Sequence, residues 1–275
     1  MAHRICLALF LLLPASTQAQ TPTLVDVGGH RLDVLQVGAG PQTVVLEGGL
    51  ANPLDSWKKV WPDLATFTTV VAYSRAGVGR SDPLLGPHTA RMAVEDLHHL
   101  LLALHRSPPF VLVGKSYGGI LVRLYTSLYP KEVVGLVLVD GTHEQQVQRW
   151  GQLDSTYPAA FRAYFDSLLP AKAGADAAEL RESIGIQAAG RVPGMLPLPD
   201  IPLAVITSMQ ASAHPNYINQ TVAGHQVWRA LHDEWFQRST NAIHLVTTQS
   251  SHAVEDEQPG LIVQAVRFVL DRLHH

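Results

Sequence analysis

Apolar residues in this chain gather into short unbroken runs, and between the runs they recur every three or four positions. The runs Thr43–Leu46, Thr69–Tyr73, Phe110–Val113, Val133–Val139, Ile201–Thr207 and Ala242–Thr248 predict strands of the fully buried kind. Two earlier β-prone runs, Leu24–Val27 and Arg31–Val37, are separated by Gly28-Gly29 and predict an opening hairpin. Ala90–His105 carries Met92, Leu97, Leu100, Leu101 and Leu104 along one side and predicts an amphipathic helix. A second helix is expected over Ser116–Tyr129, stopped by Pro130, which cannot continue it. Strands alternating with helices imply an α/β domain with a mostly parallel sheet covered on both faces.

The alternation fails between Thr142 and Pro202. Helical patches at Ala159–Leu169 and Ala175–Ser183 occur there without a convincing strand, and the stretch Arg191–Pro199 is too rich in proline for a helix. Residues of about 143–200 are therefore expected to form an inserted, mainly helical lid, since a segment this long inside a compact domain usually serves a site.

Composition then narrows the picture. With 47% hydrophobic and 16% charged residues the chain can bury a large core in one domain. The net charge of −3 and the lack of a basic run argue against a nucleic-acid partner. Residues 1–19 hold Arg4, an apolar run from Ile5 to Leu13, Pro14 and the small-residue end Thr17-Gln18-Ala19, the pattern of a secretory signal peptide, which predicts a periplasmic or extracellular protein of residues 20–275. The apolar run is far shorter than the roughly 20 residues of a membrane span, so no stable membrane insertion is expected after cleavage. Cys6, the only cysteine, lies in that leader, leaving the mature chain without thiol, disulfide or Cys-based metal site.

Chemistry enters at Val111-Leu112-Val113-Gly114-Lys115-Ser116-Tyr117-Gly118-Gly119-Ile120, a buried strand, then G-x-S-x-G, then a helix. A serine hydroxyl attacks poorly unless a tight strand-to-helix turn presents it, where small neighbours admit a strained backbone and a helix N-terminus favours developing negative charge. Gly114 and Gly118 supply that room, which makes Ser116 the candidate nucleophile. Leu46-Glu47-Gly48-Gly49-Leu50, Tyr73–Ser81 and Val137-Leu138-Val139-Asp140 accompany the motif in order. From about Leu24 to the C-terminus the chain resembles the α/β-hydrolase superfamily, which implies a mostly parallel eight-stranded sheet flanked by helices and a serine hydrolase needing no cofactor and no metal.

The resemblance also orders the remaining groups as acid, then histidine. Of fourteen histidines only His252 follows the last predicted strand and precedes an apolar-periodic helix, Leu261–Leu270, and it resembles the family's histidine ahead of a Gln-Pro or Glu-Pro pair. In most of the family the acid follows the strand corresponding to Ile201–Thr207, but the turn Ser208-Met209-Gln210-Ala211-Ser212-Ala213 contains no carboxylate. Asp140, at the end of the preceding strand, is therefore the candidate acid, with Asp233, Glu234 and Asp256 as alternatives. The family pattern puts oxyanion donors on the residue after the nucleophile, Tyr117, and in the earlier turn, Gly49 first and Leu50 second. Three positions depart from it. Glu47 stands where many relatives have His, Lys115 likewise, and Ser74 where many have Asp. A buried Glu47 is costly unpaired, so it is expected to pair with Arg75 beneath the oxyanion turn, whereas Lys115 is expected to be a solvated or peripheral charge, not a catalytic one.

These residues point to cleavage of a small-molecule carboxylic ester or related acyl bond through Ser116, His252 and Asp140. An aminopeptidase resembling proline iminopeptidase would need lid carboxylates, among Glu144, Asp154, Asp166, Glu179 and Glu182, converging on a substrate amine. A third possibility is a ligand-binding protein that keeps the fold without turnover. Gly77-Val78-Gly79 lacks the further glycine of a dinucleotide-binding turn. Oligomeric state has no signature here.

Overall fold

The computed structural model describes residues 21–83 and 86–274. The signal peptide expected at 1–19, with Cys6, lies outside the described residues.

Eight strands form one sheet: β1 (Thr23–Asp26), β2 (Arg31–Val37), β3 (Thr43–Glu47), β4 (Thr69–Tyr73), β5 (Phe110–Lys115), β6 (Val133–Val139), β7 (Leu203–Ser208) and β8 (Ala242–Thr247). Their order is β1-β2-β4-β3-β5-β6-β7-β8, with β1/β2 and β2/β4 antiparallel and every other pairing parallel. The opening hairpin turns where expected. Gly28 and Gly29 take φ of 103° and 120°, which residues with a side chain rarely adopt, and Asp26 Oδ1 accepts from the Gly28 N–H at 2.7 Å.

The helices are α1 (Trp61–Leu64), α2 (Ala90–Ala103), α3 (Tyr117–Leu128), α4 (Gln146–Leu153), α5 (Tyr157–Leu168), α6 (Gly174–Ala189), α7 (Val222–Phe236), α8 (Val254–Glu257) and α9 (Pro259–Asp271). Alternate strand residues face opposite layers. Val45, Leu112, Leu136 and Leu138 pack with α2 and α3, through residues such as Leu97, Leu100 and Tyr125. Val44, Leu46, Val111, Val113, Val137 and Val139 pack on the other side with α9, α1 and Trp57. Because both faces are covered, the central strands read as continuous apolar runs. Among the described residues no helix is long and apolar enough to cross a membrane.

Three helices, α4, α5 and α6, occupy the segment between β6 and β7. The predicted patch Ala159–Leu169 covers most of α5 and runs one residue past its end, and Ala175–Ser183 falls within α6. These helices build a separate apolar cluster in which Val147, Trp150, Tyr157, Phe161, Leu180 and Ile184 pack with Trp228 and Leu231 of α7.

Candidate active site

Parallel strands deliver their C-terminal ends to one rim, and every predicted chemical group sits there. Glu47 ends β3, Ser116 follows β5, Asp140 follows β6 and His252 follows β8.

Ser116 has φ 52° and ψ −120°, a strained conformation for a residue with a side chain, costing on the order of 1–3 kcal/mol. The surroundings enforce it. The Ser116 N–H donates to Val139 O (3.1 Å), and Ser116 O accepts from the N–H groups of Gly119 and Thr142, both at 2.9 Å. The turn also needs Gly118: a Cβ there would lie 2.4 Å from Glu47 O and 2.6 Å from Gly48 O. Gly118→Ala must push α3 away from the Gly48-Gly49 turn, so we expect kcat to fall by about 100-fold, as displacements near 1 Å do elsewhere. Steady-state kinetics on a variant whose circular dichroism matches wild type checks this.

His252 Nδ1 lies 2.6 Å from Asp140 Oδ2. The carboxylate is held on its other oxygen, where Oδ1 accepts from the Ser208 N–H (2.9 Å) and from Trp228 Nε1 (2.8 Å). Burial would push the Asp140 carboxyl up. The hydrogen bond and charge of His252, with the indole of Trp228, outweigh it and hold the group below the usual carboxylate range. An ionised Asp140 can only accept, so the His252 proton sits on Nδ1 and Nε2 carries the lone pair. Ser116, Asp140 and His252 line one cleft of about 930 Å³, and His252 keeps 53% of its side chain exposed. Asp233 instead contacts His244 (2.7 Å), Glu234 contacts Arg149 (2.6 Å), and Asp256 lies 3.4 Å from Lys59, so none of these alternatives is committed to His252.

Arg75 fills the space behind the Gly48-Gly49 turn. Its Nη1 donates to Glu47 Oε1 (2.5 Å) and Gly48 O (2.8 Å), its Nη2 to Gly49 O (2.5 Å) and Glu179 Oε2 (2.8 Å), and its Nε to Glu179 Oε1. All five donors of the buried guanidinium are thereby used. Because peptides are trans and planar, carbonyls turned toward Arg75 turn the N–H groups of Gly49 and Leu50 the opposite way. Gly49 borders Ser116, since a Cβ on it would lie 3.4 Å from Ser116 Cβ, and Leu50 lines the cleft. Tyr117 opens α3, so its N–H is one of the first-turn donors a helix leaves without an internal acceptor. Burial pushes the Glu47 carboxyl up despite Arg75, while Glu179 is held down because Arg75 and the Ala51 N–H overcome its burial.

Sequence reasoning anticipated Arg75 as the partner of Glu47 but not Glu179, which arrives from α6, 104 residues after Arg75. It also missed Trp228 as a donor to Asp140. Lys115 corrects the expectation of a solvated charge. It ends a central strand on the face that α8 covers, is buried, and holds Glu255 of α8 at 2.7 Å, linking the Ser116 turn to the His252 loop. The five lid carboxylates do not converge: Glu144 binds Arg123, Asp154 caps Thr156, Asp166 binds Arg162, Glu179 binds Arg75, and Glu182 accepts from the Ala90 N–H.

A buried histidine outside the site sets an acid limit on stability. His143 stacks on Trp235 (5.1 Å), accepts from the Gln145 N–H at Nδ1, and burial pushes its pKa down to about 3. The unfolded chain binds this proton near pH 6.5 and the folded chain does not, so stability falls as pH drops below 6.5. From pH 7 to pH 5 we expect a loss of about 2 kcal/mol from this group alone. Urea denaturation should show that His143→Gln removes this part of the pH dependence.

A serine on a strained strand-to-helix turn after β5, an aspartate after the adjacent β6 and a histidine after β8, all at the C-terminal rim of a mostly parallel sheet, form the architecture of α/β hydrolases. The sequence profile of the alpha/beta hydrolase fold matches residues 42–192, and the chain belongs to that family. It is 23% identical over 229 residues to the uncharacterized protein YqjL of Bacillus subtilis, covering 83% of each chain. An AB hydrolase superfamily protein of Gibberella zeae is 32% identical over 134 residues, 45% of this chain and 42% of that protein. Among solved structures, a thermophilic esterase from Thermogutta terrifontis superposes with a TM-score of 0.66 at 18% identity, over 93% of this chain and all of that one. The enol-lactonase from Burkholderia xenovorans gives 0.64 at 18% identity, over 90% of this chain and all of that one.

Proposed function

We propose that the protein is a serine hydrolase of carboxylic esters. His252 Nε2 removes the Ser116 proton as Oγ attacks the ester carbonyl, and the N–H groups of Tyr117 and of Gly49 or Leu50 receive the developing oxyanion, each donor contributing roughly 3 kcal/mol. Collapse expels the alcohol, which takes the proton from His252, and leaves an acyl-Ser116 ester. Water, deprotonated by His252, attacks that ester, releases the carboxylic acid and restores the serine. Asp140 fixes the imidazole tautomer and stabilises its cationic form. Helices α4 to α6 act as a lid that shapes the cleft, and the leader directs the chain out of the cytoplasm.

The observation that carries this reading is the 2.6 Å contact of His252 with an Asp140 already anchored by Trp228 and Ser208. Nothing comparable supports the aminopeptidase reading. Its amine would need a carboxylate facing the cleft, and among the described residues the lining carries only Asp140. The esterase and lactonase superpositions agree in fold with the ester reading. The purified chain should hydrolyse p-nitrophenyl acetate and leave proline p-nitroanilide untouched, with hydrolysis lost in Ser116→Ala. Faster cleavage of the anilide would replace this reading with the peptidase.

A further inference from the structure

The cleft above Ser116 is built from aromatic rings. Trp228, which donates to Asp140, stacks on Trp150 at 5.4 Å, and Trp150 meets Tyr157 edge-on at 5.5 Å. Tyr157 leads to Phe161 at 6.1 Å, Phe161 to Phe165 at 4.6 Å, and Phe165 through Tyr164 at 5.1 Å to Tyr217 at 6.1 Å. All seven rings line the cleft that holds Ser116 and His252. They form one track from the acid outward, buried at the Trp228 end and open at Tyr164, which is 46% exposed.

The rest of the lining has an equally definite composition. Among the described residues its aliphatic side chains are Leu50 and Ala211, and its one carboxylate, Asp140, is already engaged by three donors. Among the described residues no lysine, arginine or glutamate lines the space, and its second imidazole besides His252, His225, lies 3.3 Å from Ser208 O. Uncharged hydrogen-bonding groups do, notably Gln210, Asn216 and Gln220 on the segment ahead of α7. A fatty-acyl chain is served by an aliphatic wall, and a charged substrate by an opposite charge. Ring faces and edges, by contrast, select other rings through offset and edge-to-face contact, and amides select ring hydroxyls.

Resting on the ester-hydrolase reading, we infer that the substrate is an uncharged ester bearing a hydroxylated aromatic ring, which lies along the track from Trp228 to Tyr217. The ring belongs to the acyl or the alcohol half, and the test separates the two. Methyl phloretate is compared with methyl octanoate, and tyrosol acetate with octyl acetate, each pair matched in size and in ester reactivity. Monomethyl suberate adds a carboxylate to the octanoate.

We expect kcat/KM for the ring-bearing member to exceed its alkyl match by about tenfold in at least one pair, the return of one or two ring contacts. Monomethyl suberate should be slower than methyl octanoate by about 100-fold, because its charge would leave water for a cleft whose lining offers no lysine or arginine to receive it. In Tyr164→Ala/Tyr217→Ala, changed at the open end of the track and outside the fully buried residues of the lid cluster, the favoured ratio should shrink toward one in protein whose circular dichroism matches wild type. Equal or better alkyl turnover in both pairs, a favoured ratio unmoved by the double variant, or monomethyl suberate matching methyl octanoate would each overturn the inference while leaving the esterase intact. No turnover of any ester would also overturn it, and covalent capture of Ser116 by a fluorophosphonate would then tell whether the esterase reading falls with it.

Discussion

Asp140→Asn should lower kcat by about 10⁴-fold while leaving the fold in place. The amide oxygen can still accept from Trp228 Nε1 and the Ser208 N–H, as Oδ1 does now at 2.8 and 2.9 Å. The amide nitrogen then faces His252 Nδ1, and two donors cannot share one hydrogen bond. The imidazole answers by moving its proton to Nε2, which removes the lone pair that would receive the Ser116 proton. Steady-state kinetics together with thermal denaturation separates the outcomes. A large loss of kcat at an unchanged melting temperature is the expected result, and near-normal turnover would assign the acid role elsewhere.

Arg75→Met should damage both stability and rate. Removing the guanidinium strands Glu47 and Glu179 in the interior, and breaking a buried ion pair from one side typically costs about 3–5 kcal/mol. It also releases the carbonyls of Gly48 and Gly49, which Arg75 holds at 2.8 and 2.5 Å, so the oxyanion turn loses its orientation. A further loss in kcat of about 100-fold follows from misplacing those N–H groups. Adding Glu47→Gln and Glu179→Gln to the variant distinguishes the two effects. Urea titration should recover much of the lost stability, because no unpaired charge remains, while kcat stays low because nothing grips the two carbonyls. Recovery of both would mean that Arg75 acts on the fold alone.

The features legible in the sequence were those that depend on neighbours along the chain. A buried strand reads as an apolar run, the nucleophile turn demands small residues at fixed offsets from Ser116, and His252 follows the last strand. Asp140 was legible by position because the turn after β7 lacks a carboxylate, which left the end of β6. What stayed hidden depends on pairing across the molecule. Glu179 looks like any helical surface acid until α6 folds over the Gly48-Gly49 turn and meets Arg75. Lys115 reads as solvated because no local pattern announces Glu255, 140 residues further on. Helix α7 was passed over since Gly224 and two histidines, His225 and His232, break up its apolar stripe, although Thr221 caps it by accepting from the Gly224 N–H. With α7 went Trp228, and so the second grip on Asp140.

The central claim is that Ser116 is an activated nucleophile, and covalent capture tests it without reference to any substrate. The folded protein is treated with a fluorophosphonate near neutral pH and analysed by intact mass and peptide mapping. One adduct is expected, on Ser116, absent from Ser116→Ala and formed far more slowly by His252→Ala. Folded protein that stays unmodified, or that carries the adduct on another residue, would contradict it.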